Sequence, residues 1–269
     1  MMDTVAVNGE VRRWEELRLQ DFLQSFFFGA GFFETFLVTG GVPMFLERHL
    51  ARLRSSLEAH AACVRAPPED VLTARSVLDS LHRCLEADAS LGPRFTGVGK
   101  LVAGDGRLLL SFRELPAPQA HTVLDALEDR CYRRGDPTLR HKSISYLRQY
   151  AHFGRGTVFA NEAGELCEAP NGNLFFLVGD AVVTPPLEVP CLPGIIRSVL
   201  LEEGRLGDMP VVERTVGREQ LEDVRGCVLT NSVSLALAVP RLLGRELPGS
   251  HMLAERARVV VRESARREG

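Results

Sequence analysis

Residues 138–151 read TLRHKSISYLRQYA, and the lysine among them, Lys142, decides how the rest of the chain is read. The 269 residues include thirty arginines but only two lysines, Lys100 and Lys142. Arginine replaces lysine in nearly every surface duty. It cannot shed its proton near neutral pH and attack a carbonyl. A lysine kept against such a bias is either a Schiff-base nucleophile or a survivor of compositional drift. Tyr146, Leu147 and Tyr150 follow at the spacing of an amphipathic helix, predicted over 143–153. Lys142 then stands at a strand-to-helix edge, where a side chain reaches into a cleft. Lys100, in GVGKLVAG (97–104), falls in a predicted strand and reads as a surface residue.

Bulk properties narrow the field. Net charge is −3, with basic residues scattered among acids, so no nucleic-acid partner is expected. No run approaches the roughly 20 apolar residues of a membrane span. The N-terminal MMDTVAVNGE lacks the apolar stretch of a signal peptide. Cysteines at 63, 84, 131, 167, 191 and 227 form no CxxC pair, and no HExxH occurs. The expectation is a cytoplasmic protein with reduced, mostly buried thiols and no metal.

Outward from Lys142 the chain reads as two α/β (α+β) lobes with a cleft between them. A strand over 4–9 ends in an Asn-Gly turn. FFFGAGFFETFLV (26–38) reads as one buried strand whose glycines allow close backbone approach. Apolar residues at 50, 53, 57 and 61 predict a helix over 47–63, and a second is predicted over 69–87. A hairpin turns at Gly104-Asp105-Gly106. The N-terminal domain is set at 1–115, with a Pro-rich linker at 116–120 and a C-terminal domain at 121–269. In the latter, strands are expected around 121–126, 156–161, 172–178, 181–184, 210–213 and 225–230. Further helices are expected near 195–204 and 251–266.

Gly29-Ala30-Gly31 is not a dinucleotide fingerprint, because Glu34 occupies the third glycine position and a strand follows. Glu168, in ELCEAPNGNLFFLVGDAVVTPP (165–186), is either a solvated loop acid or a carboxylate that keeps a ring nitrogen protonated. CLPGIIRSVLLEEG (191–204) opens a helix after Pro193-Gly194, leaving its first amides for an anion such as phosphate, or for an ordinary helix entry. LTNSVSLALAV (229–239) brings Thr230, Ser232 and Ser234 to the end of a strand, as phosphate donors or as turn caps.

In this order GAGFFETF, ERHLARLRSS, RHKSISYL, GELCEAPNGNLFF, VVTPP, LPGIIR and LTNSVSLALAV resemble the fold-type IV pyridoxal-phosphate enzymes. That family includes branched-chain and D-amino-acid aminotransferases and 4-amino-4-deoxychorismate lyases. The resemblance runs from Asn8 to Val239 and implies a small N-terminal domain, a larger C-terminal one with a pseudo-barrel sheet, and a homodimer. It implies that Lys142 carries pyridoxal 5'-phosphate, that Glu168 pairs with the ring nitrogen and that Arg52 holds the phosphate. The Ile195 and Ile196 amides, Ser232 and the Val233 amide would complete the phosphate site, and Tyr146 would touch the ring hydroxyl.

Thr35 in FFET and the TNS turn are similar to the lyase branch, which implies formation of 4-aminobenzoate and pyruvate with Thr35 helping to protonate the departing enol. An aminotransferase acting on a branched-chain L-amino acid or a D-amino acid stays open. A binding scaffold without activity and a cofactor-free Schiff-base aldolase are the remaining classes. Lys142, Glu168 and Arg52 together weigh against the first. The two candidate phosphate elements weigh against the second.

Overall fold

Asn8 and Gly9 both adopt positive φ, 47° and 85°, and fold β1 (Thr4–Val7) back onto β2 (Glu10–Arg13). The computed structural model describes residues 3–88, 92–129 and 132–268. The chain divides into two compact units: Met1–Ala117 with Lys142–Tyr146, and Pro118–His141 with Leu147–Glu268. The five residues around Lys142 thus belong with the first unit, although they lie beyond the N-terminal domain in sequence.

The first unit continues with α1 (Leu23–Phe28), β3 (Phe32–Thr39), β4 (Val42–Pro43), α2 (Leu46–Ala59), α3 (Ala74–Ala87), β5 (Gly97–Gly104) and β6 (Arg107–Arg113). Its six strands form one antiparallel sheet in the order β2-β1-β6-β5-β3-β4. The β5–β6 turn places Asp105 and Gly106 at φ 54° and 75°. Helices α2 and α3 cover one face, where Leu50, Leu53, Leu57 and Leu81 pack with Phe32, Phe36 and Phe112. Thr73 caps α3 by accepting from Ser76 N. On the other face Val5, Val7 and Leu109 pack with Trp14, Leu17 and Val102.

The second unit holds β7 (His121–Leu124), β8 (Ala126–Glu128), α4 (Leu147–Tyr150), β9 (Thr157–Phe159), β10 (Glu168–Ala169), β11 (Gly172–Val178) and β12 (Ala181–Thr184). After these come α5 (Ile195–Glu203), β13 (Arg205–Leu206), β14 (Met209–Glu213), β15 (Val224–Asn231), β16 (Leu235–Leu242), β17 (Arg245–Glu246) and α6 (Ser250–Glu268). Its main sheet runs β13-β14-β12-β11-β15-β16-β17, with β10 added on β11 and β7 on β16. Pairing is antiparallel except at β12–β14 and β7–β16, and β8 with β9 forms a separate parallel pair. Ser250 ties α6 to this sheet: its hydroxyl donates to Val239 O at 2.7 Å and accepts from Cys227 N at 2.9 Å.

Two sequence expectations are corrected, and one strand is added. The strand predicted over 26–38 begins only at Phe32; Phe26, Phe27 and Phe28 are helical and 63–79% exposed. The cause is remote in sequence. Asp105 accepts from Gln24 N and Ser25 N, both at 3.0 Å, and Gly29 ends the helix at φ 63°. The helix predicted over 143–153 shrinks to Leu147–Tyr150, because Ile144 N donates to Gly31 O at 3.0 Å and Phe33 N to Lys142 O at 2.8 Å. These bonds lay the Lys142 segment along the sheet edge. The added strand is β16, formed by the residues after the TNS turn. Leu235, Ala236, Leu237, Ala238 and Val239 are all buried, so no period-2 alternation betrays the strand.

Candidate active site

In the first unit Lys142 is fixed by backbone and framed by rings. The segment it belongs to bridges Phe32 through Ser143, and Ser145 Oγ donates to Gly29 O at 3.0 Å. A Cβ at Gly29 would collide with Ser145 Oγ, and one at Gly31 would stand 2.8 Å from Ala103 O. The glycine pair is therefore what lets the lysine-bearing segment lie flush. Lys142 Nζ sits 4.5 Å from the centre of the Phe33 ring and 5.2 Å from that of Tyr146. Those rings meet edge to face at 5.2 Å. Thr35 follows Phe33 by two residues and so shares its face of β3. Lys142 and Tyr146 thus meet at Phe33, with Thr35 two residues further along the same face of β3.

Arg52 approaches β3 from the other face. Glu34, 1% exposed, accepts from Arg52 Nε at 2.8 Å, from Arg52 Nη2 at 2.6 Å and from His49 Nδ1 at 2.6 Å. Burial alone would raise the Glu34 pKa. The Arg52 charge and the bonds from His49 and Arg52 outweigh it and hold the pKa at about 2. Burial lowers the His49 pKa, so its ring is neutral with the proton on Nδ1, and Nε2 has no partner. Arg52 thus directs the Nε and Nη2 edge of its guanidinium at Glu34.

In the second unit the other expected residues cluster. Glu168 is buried on β10 and held at both oxygens. Tyr132 Oη donates to Oε1 at 2.7 Å; Leu192 N donates to Oε2 at 3.0 Å and Asn173 Nδ2 at 3.3 Å. The solvated-loop reading of Glu168 is excluded. Tyr132 is fully buried, stacks on Phe159 at 4.3 Å and accepts from Gln149 Nε2 at 3.3 Å. Asn173 also donates to Leu192 O at 2.8 Å.

Gly194 caps α5, and Ile195 and Ile196 are its first two residues. Asn173 pairs with Thr230 of β15, at whose end lies the 231–234 turn. That turn is held by its own asparagine. The Val233 amide donates to Asn231 Oδ1 at 3.0 Å, and the Ser234 amide to the same oxygen at 2.8 Å. Asn231 thereby builds an Asx turn around Ser232.

Sequence reasoning passed over Glu34, His49, Tyr132 and Asn173. The signal for the first pair was present: an acid between Phe32 and Phe36 on a core-facing strand demands a buried cation. Tyr132 carried no such signal. Cys63 is exposed, while Cys84, Cys167, Cys191 and Cys227 are buried and free. Burial raises the buried thiols, Cys84 to about 11 and Cys191 to about 12, which makes them poor nucleophiles. Cys131 lies outside the described residues. No group of three or more metal-ligating side chains occurs among the described residues, and no helix there is long and apolar enough to cross a membrane.

The sequence matches the family "Amino-transferase class IV" over residues 31–242. It is 25% identical over 233 residues to an aminodeoxychorismate lyase of Bacillus subtilis, covering 81% of this chain and 78% of that protein. A bifunctional aminodeoxychorismate lyase / D-amino acid transaminase of Mycobacterium tuberculosis is 27% identical over 252 residues, with 82% and 84% covered. Among solved structures, the PLP-bound form of a hypothetical aminotransferase from Mycobacterium tuberculosis shares the fold, with a TM-score of 0.80 at 23% identity over 97% of this chain and 99% of that one.

Proposed function

The chain belongs to the class IV aminotransferase family, and from that premise we propose that it is a pyridoxal-phosphate-dependent 4-amino-4-deoxychorismate lyase, releasing 4-aminobenzoate and pyruvate for folate synthesis in the cytoplasm. The observation that carries this reading is the grouping of Lys142, Tyr146 and Thr35 on one sheet face. It supplies an amine and a hydroxyl where a lyase needs a base and a proton donor. Two relatives named for the lyase activity support it.

The residues present suit the cofactor. Lys142 has the amine to hold its aldehyde, and Glu168 is a buried carboxylate that three donors keep in one orientation. The Ile195 and Ile196 amides, Ser232, the Val233 amide and Arg52 would hold its phosphate, and Tyr146 is a partner for the ring hydroxyl. Bound there, the cofactor supplies an electron sink for the bond-breaking step.

The chain's own groups do the rest. Lys142 Nζ, once released, takes the proton from the substrate carbon bearing the amine. The C–O bond to the enolpyruvyl group then breaks, the six-membered ring becomes aromatic, and pyruvate leaves as its enol. Thr35 Oγ passes a proton to the enol methylene. Glu168 keeps the proton on the ring nitrogen. The protein works as a homodimer, for which exposed Phe26, Phe27 and Phe28 offer an apolar contact.

The experiment couples the purified protein to an aminodeoxychorismate synthase with chorismate and glutamine, and measures 4-aminobenzoate and pyruvate in equal amounts. Amino transfer from D-alanine, L-leucine or L-glutamate to 2-oxoglutarate is measured in parallel. Transfer without 4-aminobenzoate establishes the second reading, a class IV aminotransferase, which the D-amino acid transaminase activity in the name of one relative favours. Protein that stays colourless with added cofactor overturns both.

A further inference from the structure

Phe33 and Glu34 are neighbours on β3, and each holds one of the cations that the function above relies on. Phe33 presents its ring to Lys142 Nζ at 4.5 Å. Glu34 points to the opposite face of the strand and holds Arg52. No step above uses Glu34 or its second partner, His49, although both are buried.

His49 and Arg52 stand three residues apart on α2, so both reach the same strand residue. Glu34 Oε1 accepts from Arg52 Nε at 2.8 Å, while Oε2 accepts from Arg52 Nη2 and from His49 Nδ1, each at 2.6 Å. The two bonds from Arg52 lie in the guanidinium plane, so they fix the rotation of that group as well as its place. His49 fixes the carboxylate in turn. Its Nδ1 makes the one bond, its Nε2 is buried without a partner, and its ring lies 5.7 Å from that of Phe36. A buried ion pair with an unpaired nitrogen beside it is a poor way to gain stability, since apolar groups of the same volume serve as well or better. What the network supplies is a single geometry. Its outermost member is Arg52, whose side chain is 11% exposed against 1% for Glu34 and 0% for His49.

We infer that Glu34 is a positioning residue for Arg52 and is itself held by His49: the buried pair sets the pose of the guanidinium, and through it the grip on the cofactor's phosphate, without touching the cofactor. The inference rests on the proposed function, in which Arg52 meets that phosphate, and adds two residues to it.

The test measures equilibrium binding of pyridoxal phosphate and of pyridoxal, which lacks only the phosphate, to the full chain freed of cofactor. Mass spectrometry after borohydride reduction verifies that both join Lys142. The ratio of the two affinities on one protein reports the phosphate grip and cancels any loss of folded protein. Glu34→Gln weakens pyridoxal phosphate about tenfold or more, the scale of one hydrogen bond to a charged group, and leaves pyridoxal within about twofold. His49→Leu lowers the ratio about threefold, and His49→Asn, which keeps a side-chain N–H donor, restores it to within about twofold of wild type. Arg52→Met lowers the ratio furthest. Adding Glu34→Gln to Arg52→Met lowers it no more, because nothing is left to position.

The inference is overturned if Glu34→Gln keeps the wild-type ratio, if it loses both ligands alike, as a purely structural role requires, or if its effect survives in full beside Arg52→Met. His49→Leu at the wild-type ratio overturns the part given to His49. A ratio unmoved by Arg52→Met, or a reduced adduct absent from Lys142, instead removes the functional reading beneath it.

Discussion

Replacing Glu34 by glutamine tests the most heavily committed charge in the first unit. The carboxylate is 1% exposed and receives two bonds from Arg52 and one from His49. Its pKa falls from 4.5 to about 2 despite the opposing effect of burial. At about 1.4 kcal/mol per pH unit, that drop stabilises the fold by ~3 kcal/mol at neutral pH. The folded-state pKa lies below the unfolded one. The stabilisation is therefore complete above about pH 4.5, declines as pH falls toward 2 and is absent below that. A second route gives a similar figure: removing one partner of a buried pair leaves the other charge uncompensated, at a cost of about 3–5 kcal/mol.

Urea unfolding followed by Trp14 fluorescence reads this directly. Trp14 is the sole tryptophan and packs within the same unit. With a denaturant slope near 2 kcal/mol per molar, Glu34→Gln lowers the midpoint at pH 7 by about 1.5 M or more. The gap to wild type narrows as pH is lowered from 4.5 toward 3. Adding Arg52→Met to Glu34→Gln recovers part of the loss, because the stranded cation is removed. A midpoint shift worth under 1 kcal/mol at pH 7, or a gap that does not change down to pH 3, refutes the reasoning.

Three further outcomes follow. Lys142→Ala removes the visible absorbance of the bound cofactor and lowers turnover about a thousandfold or more; a reducible adduct persisting at Lys100 contradicts this. Tyr132→Phe takes away the 2.7 Å donor to Glu168 and lowers kcat about tenfold with KM nearly constant. It also shifts the pH titration of cofactor absorbance, so an unmoved titration shows that Tyr132 only fills space. Gly194→Ala drives a methyl group into Asn173 Oδ1 and costs about 1–3 kcal/mol in thermal unfolding, with faster cofactor loss; a stable variant that holds its cofactor removes the Asn173 bridge from the argument.

Local rules made much of the fold legible. Asn8-Gly9 and Gly104-Asp105-Gly106 marked hairpin turns, and leucines three and four apart marked α2, because those features depend on a few neighbouring residues. What escaped depends on partners far along the chain. Asp105 caps a helix that begins some eighty residues earlier, converting Phe26–Phe28 from strand to helix. Gly31 and Phe33 recruit Lys142 and Ile144 to a sheet edge, where Tyr146, Leu147 and Tyr150 alone spelled a longer helix. The same split runs through the site. Lys142 and Glu168 stood out by residue type and by motif. Tyr132 did not, since a tyrosine thirty-six residues from the acid it supports has no local signature.

The arginine bias acquires physical content at β3. Arg52 grips both oxygens of Glu34 through a planar, permanently charged group, and Arg197, 4% exposed, donates to Pro185 O at 2.7 Å and pairs with Glu213. A lysine in either place would lose one of two directed bonds and face a burial cost that its pKa yields to easily. The converse holds on the other face of the strand. An arginine at 142 would keep its proton and could form no bond to an aldehyde. One strand therefore separates the two kinds of cation by what each can do: arginine where a charge must stay fixed beneath the sheet, lysine where a proton must leave above it.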